Sequence, residues 1–245
     1  MMKKIRGIMA NIGRWLEDLL FPEDVLCLCC DHALGTDDVD NVCKSCRREL
    51  ERLAVRQEER EEKERGAYPK GIGYIHSAYV YEGAARRLIR RLKYESVRSA
   101  AVPLARKMVY LPSGEEEIIV PVPTDKRREL SRGFNQSALL AGHIGQELGM
   151  QVVHALRRVE HRKPQTGLSA RERRKNLIGC MAADERVSGK RVLLVDDVYT
   201  TGSTVAEAAR ALRKAGAKSV GVFTAARAIG DTDEAEDPFV PARRA

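Results

Sequence analysis

Residues 192–204, VLLVDDVYTTGST, constrain the fold of this chain more than any other stretch. Val192, Leu193, Leu194 and Val195 run without polar alternation, the pattern of a parallel strand covered on both faces. Two adjacent carboxylates, Asp196 and Asp197, stand where that strand is expected to end. Small hydroxyl and glycine residues follow: Thr200, Thr201, Gly202, Ser203 and Thr204. Val205, Ala208, Ala209 and Leu212 then recur at helical spacing. The order is strand, acidic pair, small-residue loop, helix N-terminus.

That order suits a phosphorylated sugar. A helix start offers unpaired N–H groups and a partial positive charge to a phosphate. Gly202 lets the backbone approach the anion, and the Thr and Ser hydroxyls add donors without bulk. The aspartates only accept, which fits the vicinal hydroxyls of a ribose or a magnesium ion brought by the ligand. The plainer alternative, a strand–helix turn with a Ser/Thr cap, leaves the acidic pair without a purpose.

A second buried strand is expected over residues 117–123, EIIVPVP, with the prolines marking its end. Thr124, Asp125, Lys126, Arg127 and Arg128 come directly after it. In open α/β sheets ligands bind outside the carboxyl ends of the strands, so this basic anion-binding loop would converge on residues 200–204. Arg132-Gly133-Phe134-Asn135-Gln136 leads into a helix through Leu139, Leu140, Ile144 and Leu148 that stops at Gly149. Residues 151–156 and 219–226 read as further strands.

The cysteines make a different pattern. Cys27-x-x-Cys30 and Cys43-x-x-Cys46 are two knuckles of the kind that set four thiolates tetrahedrally around zinc. The intervening Asp31, Gly35, Asp37, Asp38 and Asn41 are turn formers, and so few apolar side chains would not hold the segment without a metal. Four thiolates leave no open coordination position, so the expected role is structural. A disulfide pair and a redox CxxC are the alternatives, disfavoured by compartment and by the duplication. Cys29 and His32 leave the ligand set open at its edge.

Elsewhere the chain is charged. Ile5, Ile8, Met9, Ile12, Trp15, Leu16 and Leu19 predict an amphipathic helix over residues 3–20, ended by Phe21-Pro22. It packs on the rest of the protein in the plain reading and lies on a membrane surface in the other. Arg14, Glu17 and Asp18 interrupt any apolar run, so neither a signal peptide nor a membrane span is expected, and the location expected is cytoplasmic. Residues 47–65 read as a solvated helix dense in Arg and Glu. Residues 74–81 have strand character. The helix AARRLIRRLKY after Gly83 puts Leu88, Ile89 and Leu92 inward and Arg86, Arg87, Arg90, Arg91 and Lys93 outward, a stripe that either tracks phosphates or is simply solvated. Residues 157–176 are strongly basic without apolar period, a lid over a polyanion or a disordered loop. Formal net charge is +8, and residues 83–180 hold 20 Lys/Arg against 9 Asp/Glu. The excess therefore sits with the expected site and suits pyrophosphate or nucleic acid, or is simply a solvated basic face without a partner. The organisation expected is an amphipathic helix (1–22), a four-cysteine zinc module (23–48), a charged helical linker (49–70), an α/β domain (71–228) and a disordered tail (229–245).

These marks resemble the ComF family, also described as amidophosphoribosyltransferase-like proteins. The resemblance runs from about residue 21 to residue 226. It is carried by the paired knuckles, Lys93-Tyr94, VPVP with RGFNQ, Gln165 followed by Arg171 or Arg174 and Asn176, and VLLVDDVYTTGST. Gly179-Cys180-Met181 stands where the family usually has Gly-Ala-Phe. The resemblance implies a type I phosphoribosyltransferase, α/β with a Rossmann-like parallel sheet flanked by helices, plus the small zinc module. It places Asp196 and Asp197 on the ribose hydroxyls of phosphoribosyl pyrophosphate (PRPP) and Thr200, Thr201, Gly202, Ser203 and Thr204 on its 5′-phosphate. Thr124, Lys126, Arg127 and Arg132 would face the pyrophosphate, with Gln165, Arg171, Arg174 and Asn176 in the lid and magnesium arriving with PRPP. Ribose 5-phosphate would pass to an amine or nucleobase, with Asp196, Asp197, Lys126 and Arg127 as the catalytic set. The resemblance also implies DNA uptake in natural transformation or use of DNA as a nutrient, beside a helicase-like partner. The competing class is an inactive module that keeps the PRPP site and binds single-stranded DNA. No acceptor-base pocket is legible, and an aromatic content of 5% argues against a base-stacking platform.

Overall fold

The computed structural model describes residues 26–63, 66, 68–159 and 179–228. The expectations placed on residues 1–22 and 229–245, and on Gln165, Arg171, Arg174 and Asn176, lie outside the described residues. In chain order the elements are α1 (Lys44–Lys63), β1 (Tyr74–Val80), α2 (Gly83–Tyr94), α3 (Ala101–Val109), β2 (Ile118–Pro121), α4 (Lys126–Arg132) and α5 (Gln136–Leu148). They continue with β3 (Gln151–Val152), β4 (Leu156–Arg158), β5 (Met181–Ala183), β6 (Arg191–Tyr199), α6 (Ser203–Lys214) and β7 (Ser219–Arg227). Five strands form a parallel sheet in the order β1-β7-β6-β2-β3, and β4 pairs antiparallel with β5.

Helices cover both faces of this sheet. Leu193 and Val195 of β6 pack with Leu88, Leu104, Met108, Leu140 and Ile144 from α2, α3 and α5. Val192 and Leu194 join Val120, Val205, Leu212 and Val222 on the α6 side. Two-sided cover is why the strand shows no polar alternation. The first cluster continues into the cysteine segment, where Cys27, Leu28, Val42, Cys46, Leu50 and Leu53 meet Ala78, Ala84 and Ala85. Helix α1 is accordingly not solvated all round, as its Arg and Glu content suggests. Leu50, Leu53, Ala54 and Gln57 form a buried stripe at helical spacing. Among the described residues no helix is long and apolar enough to cross a membrane.

Two boundaries differ from expectation, each for a pairing reason. β6 runs through the acidic pair to Tyr199 because β7 stays beside it, Asp196 opposite Thr224 and Val198 opposite Ala226. β2 leaves earlier, its last pair being Pro121 with Val195. One edge of β6 is therefore open beyond Val195. The strand expected over residues 151–156 breaks in two: Ala155 N bonds back to Val153 O at 2.9 Å, ending β3, and Leu156–Arg158 turns away to pair with Met181–Ala183.

The chain leaves β2 toward β3 on one side and leaves β6 toward β7 on the other. The carboxyl ends of β2 and β6, neighbours in the sheet, flank the point where strand order reverses. That crevice is where open α/β sheets hold their ligands.

Candidate functional site

Asp196 and Asp197 stand at this crevice, in the part of β6 that β2 no longer covers. Asp196 is buried; its Oδ1 accepts from Ser137 Oγ and from the Asp197 N–H, both at 2.9 Å. Burial and the adjacent Asp197 charge push its carboxyl up to about 7. Asp197 pairs with Lys93, Nζ to Oδ1 at 2.9 Å, the two side chains 14% and 19% exposed. Burial works against the Lys93 ammonium, but the Asp197 charge and hydrogen bond outweigh it and hold its pKa above the ordinary value. Each aspartate thus has one oxygen engaged within the protein, by Ser137 and by Lys93 respectively.

Lys93 corrects one expectation. Grouping by charge puts it on the outward stripe of α2 with the arginines, and it points instead into the site. Ser137 carries no signal of its own in the sequence. Both come from helices that sit on the same sheet face, α2 and α5, and no local motif links them to residues 196–197. Lys93 does carry a signal. It lies four residues after the buried Ile89, on the same helical face, and it is the one lysine in a run of arginines.

After Tyr199 the chain turns through Thr200, Thr201 and Gly202 into α6. Gly202 has φ +74°, and a Cβ there would run into the Tyr199 ring, whose Cζ would lie 2.8 Å away. Only glycine fits that position without strain. Helix α6 starts at Ser203 with no side chain on its N-cap. Thr201 Oγ1 and Ser203 Oγ lie 2.9 Å apart, and the Ser203 N–H reaches Thr201 Oγ1 at 3.4 Å. Thr204 follows in the first turn, whose N–H groups have no acceptor within the helix. Phosphate is the natural guest for such a terminus.

On the β2 side, the expected basic loop at 124–128 is mostly helix. Asp125 caps α4 by accepting the Arg127 N–H at 2.9 Å, so Lys126 and Arg127 lie in the first turn of α4, exposed. Thr124 is half-buried just before the cap. Asn135 ties this loop down: its Nδ2 donates to Val122 O at 3.0 Å, and its Oδ1 caps α5 through the Ser137 N–H. Arg132 lies over the Tyr94 ring at 5.3 Å and donates to Gln136 Oε1 at 3.1 Å. Burial and the nearby Arg128 charge hold the Arg132 pKa below the ordinary guanidinium value. The chain on either side of the basic 160–178 segment is anchored at this crevice. Arg158 Nε donates to Pro123 O at 3.0 Å, and Gly179 N donates to Glu207 Oε1 at 2.7 Å. Glu207 is buried and is held by Arg210 through two hydrogen bonds.

The four knuckle cysteines converge. The sulfurs of Cys27, Cys30, Cys43 and Cys46 all lie within 4.8 Å of one another. Cys30 and Cys43 are 3.7 Å apart, close to the edge of a tetrahedron with ~2.3 Å metal–sulfur bonds and far from the ~2.0 Å of a disulfide. Cys27 Sγ accepts the N–H groups of Cys43 (3.3 Å) and Cys29 (3.4 Å), which favour a thiolate there. The cluster can take a metal such as zinc. Cys29 stays outside it: its thiol faces the Ala84 carbonyl at 3.9 Å, and burial, then the charge of Cys27, raise its pKa to about 12. His32 is likewise absent from the group.

Comparison with known proteins agrees with this geometry. The family model described as "Phosphoribosyl transferase domain" matches residues 135–241. Competence protein F of Haemophilus influenzae is 38% identical over 58% of this chain and 61% of its own length. DNA utilization protein YhgH of Escherichia coli K12 is 42% identical over 45% of this chain and 49% of its own, and Competence protein ComFC of Bacillus subtilis 30% identical over 62% and 63%. The chain thus spans about half to two thirds of the length of these relatives. Among solved structures, glutamine phosphoribosylpyrophosphate amidotransferase from B. subtilis matches at 24% identity and a TM-score of 0.40, covering 53% of this chain and 26% of that one. Residues 135–241 thus resemble a phosphoribosyl transferase domain, built here on a parallel sheet flanked by helices, and the chain is similar in sequence to Competence protein F, YhgH and ComFC.

Proposed function

We propose that the crevice between β2 and β6 binds a phosphoribosyl compound, PRPP foremost, in a protein that acts in DNA uptake or DNA utilisation, with zinc held structurally by the four cysteines. One observation carries the reading. The acidic pair sits on the open edge of β6 at the switch point, a few residues ahead of an uncapped helix start. A ribose 5-phosphate has its vicinal hydroxyls and its phosphate at its two ends, and this edge offers acceptors and donors in that order.

The chain's own residues divide the work. Ser137 and Lys93 hold Asp196 and Asp197, so the other oxygen of each accepts from a ribose hydroxyl. Thr200 to Thr204 take the 5′-phosphate through backbone N–H groups and hydroxyls. Lys126, Arg127 and Arg132 supply positive charge where a pyrophosphate would depart. Carboxylate oxygens are the donors magnesium prefers, but Asp197 already faces the Lys93 ammonium, so the pair suits a diol better than a bare metal cage. Magnesium bound with PRPP supplies further neutralisation of the leaving pyrophosphate.

A second reading has its own observation. Arg90 and Arg132 flank the half-exposed Tyr94 ring at 5.9 and 5.3 Å, and Arg98 lies 5.0 Å over Phe134. Arginine planes interleaved with aromatic faces suit single-stranded DNA, in keeping with the names of the relatives. One thermal-shift series separates the readings, because any native-state binder raises the melting point. PRPP and ribose 5-phosphate, with and without Mg²⁺, should raise it saturably in the wild type and not in Asp197→Asn. An oligonucleotide shift that survives Asp197→Asn supports the second reading alone. Absence of any sugar-phosphate shift at millimolar concentration overturns the first, and pyrophosphate release with a candidate base establishes a transferase.

A further inference from the structure

On the far side of the cysteine module lies a groove that the phosphoribosyl reading does not use. It has a volume of about 450 Å³ and is lined by Val39, Val42, Leu50, Ala54, Val55 and Tyr110, among others. The module, α1 and the end of α3 form its walls. Three of the large exposed apolar residues of the described chain lie in it: Tyr110 is 78% exposed, Val55 53% and Val39 43%. Ion pairs between Asp40 and Arg106 (2.8 Å) and between Glu58 and Lys107 (3.0 Å) tie its walls together. An apolar groove built on fixed walls marks an interaction site.

We infer that residues 3–20 of the same chain fill this groove as an amphipathic helix. Ile5, Ile8, Met9, Ile12, Trp15, Leu16 and Leu19 recur at the i, i+3, i+4, i+7 spacing of a helix that lays its apolar face into a groove. Two residues past Leu26, where the described region begins, the chain meets the segment that lines the groove. Leu28 N donates to Asn41 O at 2.8 Å, and Asn41 sits between Asp40 and Val42, both of which line the groove. Only residues 21–25 separate the stripe from Leu26, a reach of at most ~17 Å, while the helix itself would be ~27 Å long. A tether that short places the stripe at the groove at ~millimolar effective concentration, ahead of any partner in solution. The same helix seated on a second copy or on lipid would leave the groove beside its own root exposed.

Trp15 is the only tryptophan in the chain, so its fluorescence reports this contact without background. In the dilute full-length protein its emission should be blue-shifted from that of free tryptophan and weakly quenched by acrylamide. Val55→Asp with Tyr110→Asp, both on exposed positions, should shift it to the red and raise quenching several-fold. Leu148→Asp, an exposed leucine outside the groove, should not. Red, freely quenched emission in the wild type overturns the inference. So does blue emission that fades on dilution, which identifies a second copy, or blue emission that needs vesicles of phosphatidylglycerol, which identifies a lipid surface. Blue emission unmoved by the groove variants overturns it as well. A cysteine pair placed at Trp15 and Val55 gives a second, fold-independent reading: rapid disulfide formation within one chain supports docking, and its absence counts against it. Neither outcome depends on what binds at the acidic pair.

Discussion

The cysteine cluster and the acidic edge of the sheet are assembled in opposite ways. All four thiols come from residues 27–46, set by two short repeats and turn residues. Regular structure there is limited to isolated bridges and the first turn of α1. The acidic edge draws Lys93, Ser137, Asp196 and Gly202 from α2, α5, β6 and the start of α6, brought together only when the sheet is formed. One cluster is written locally and can take a metal. The other is written across more than a hundred residues and is held by the core. A local cluster should fail first by losing its metal and pull on the core it joins, whereas a dispersed one should fail only through the fold that carries it.

Removing the metal is the strongest way to break that contrast. Structural zinc in small Cys modules carries ~10 kcal/mol or more of apparent binding free energy, and here the module's core is continuous with that of the helices on one sheet face. Cys46→Ser should lose metal content by emission spectroscopy and lower the melting point by well over ten degrees. Asp196→Asn should keep one metal per chain. Equal metal content in Cys46→Ser would show that the cluster is not the ligand set.

The same contrast explains what can be read from sequence. The knuckles and the stop at Gly149 are legible because each is a local pattern with a local cause. The structure bears them out in the convergence of the four sulfurs and in Gly149 at φ +65°. Lys93 is misplaced when its charge is grouped with the arginines, although it follows Ile89 by four residues, because the carboxylate that draws it inward is 104 residues away. The length of β6 escapes the sequence for the same reason. A strand ends where its neighbours end, and β7 continues past β2. Two-sided burial, by contrast, leaves a direct mark on composition.

A smaller effect tests whether the acidic edge is a coupled unit. Lys93→Met leaves Asp197 largely buried without its cation, and Asp197→Asn leaves the ammonium; each should cost ~3 kcal/mol, the low end for a buried pair because both keep some contact with water. The double variant should recover part of that loss, so the two costs will not add. Ribose 5-phosphate affinity should drop about tenfold in Lys93→Met, be partly restored in Lys93→Arg, and vanish in both variants that lack Asp197. Strict additivity in urea titrations would mean that the pair does not act as a unit.

The gentlest probe is pH, and here the two regions should respond with opposite sign. Thiolate ligands must stay deprotonated, so acid weakens the cysteine cluster. The Asp196 carboxyl does the reverse. Unfolded, it releases its proton near the ordinary 3.8; folded, it holds it until about 7, because burial and the charge of Asp197 disfavour ionisation. Between those values the native state carries the extra proton. The contribution of this group is therefore fully present below about pH 4 and is lost as pH rises through 7, by at most a few kcal/mol. Asn at this position keeps an oxygen for Ser137 Oγ and the Asp197 N–H but has no proton to lose. The melting point of Asp196→Asn minus that of the wild type should thus be near its minimum at pH 4 and climb steadily to pH 8. The cysteine cluster, common to both proteins, cancels in the difference. A flat difference would place Asp196 in a wetter setting than the Ser137 contact implies, and the buried half of the acidic pair would then be no more dependent on the core than the cysteines are.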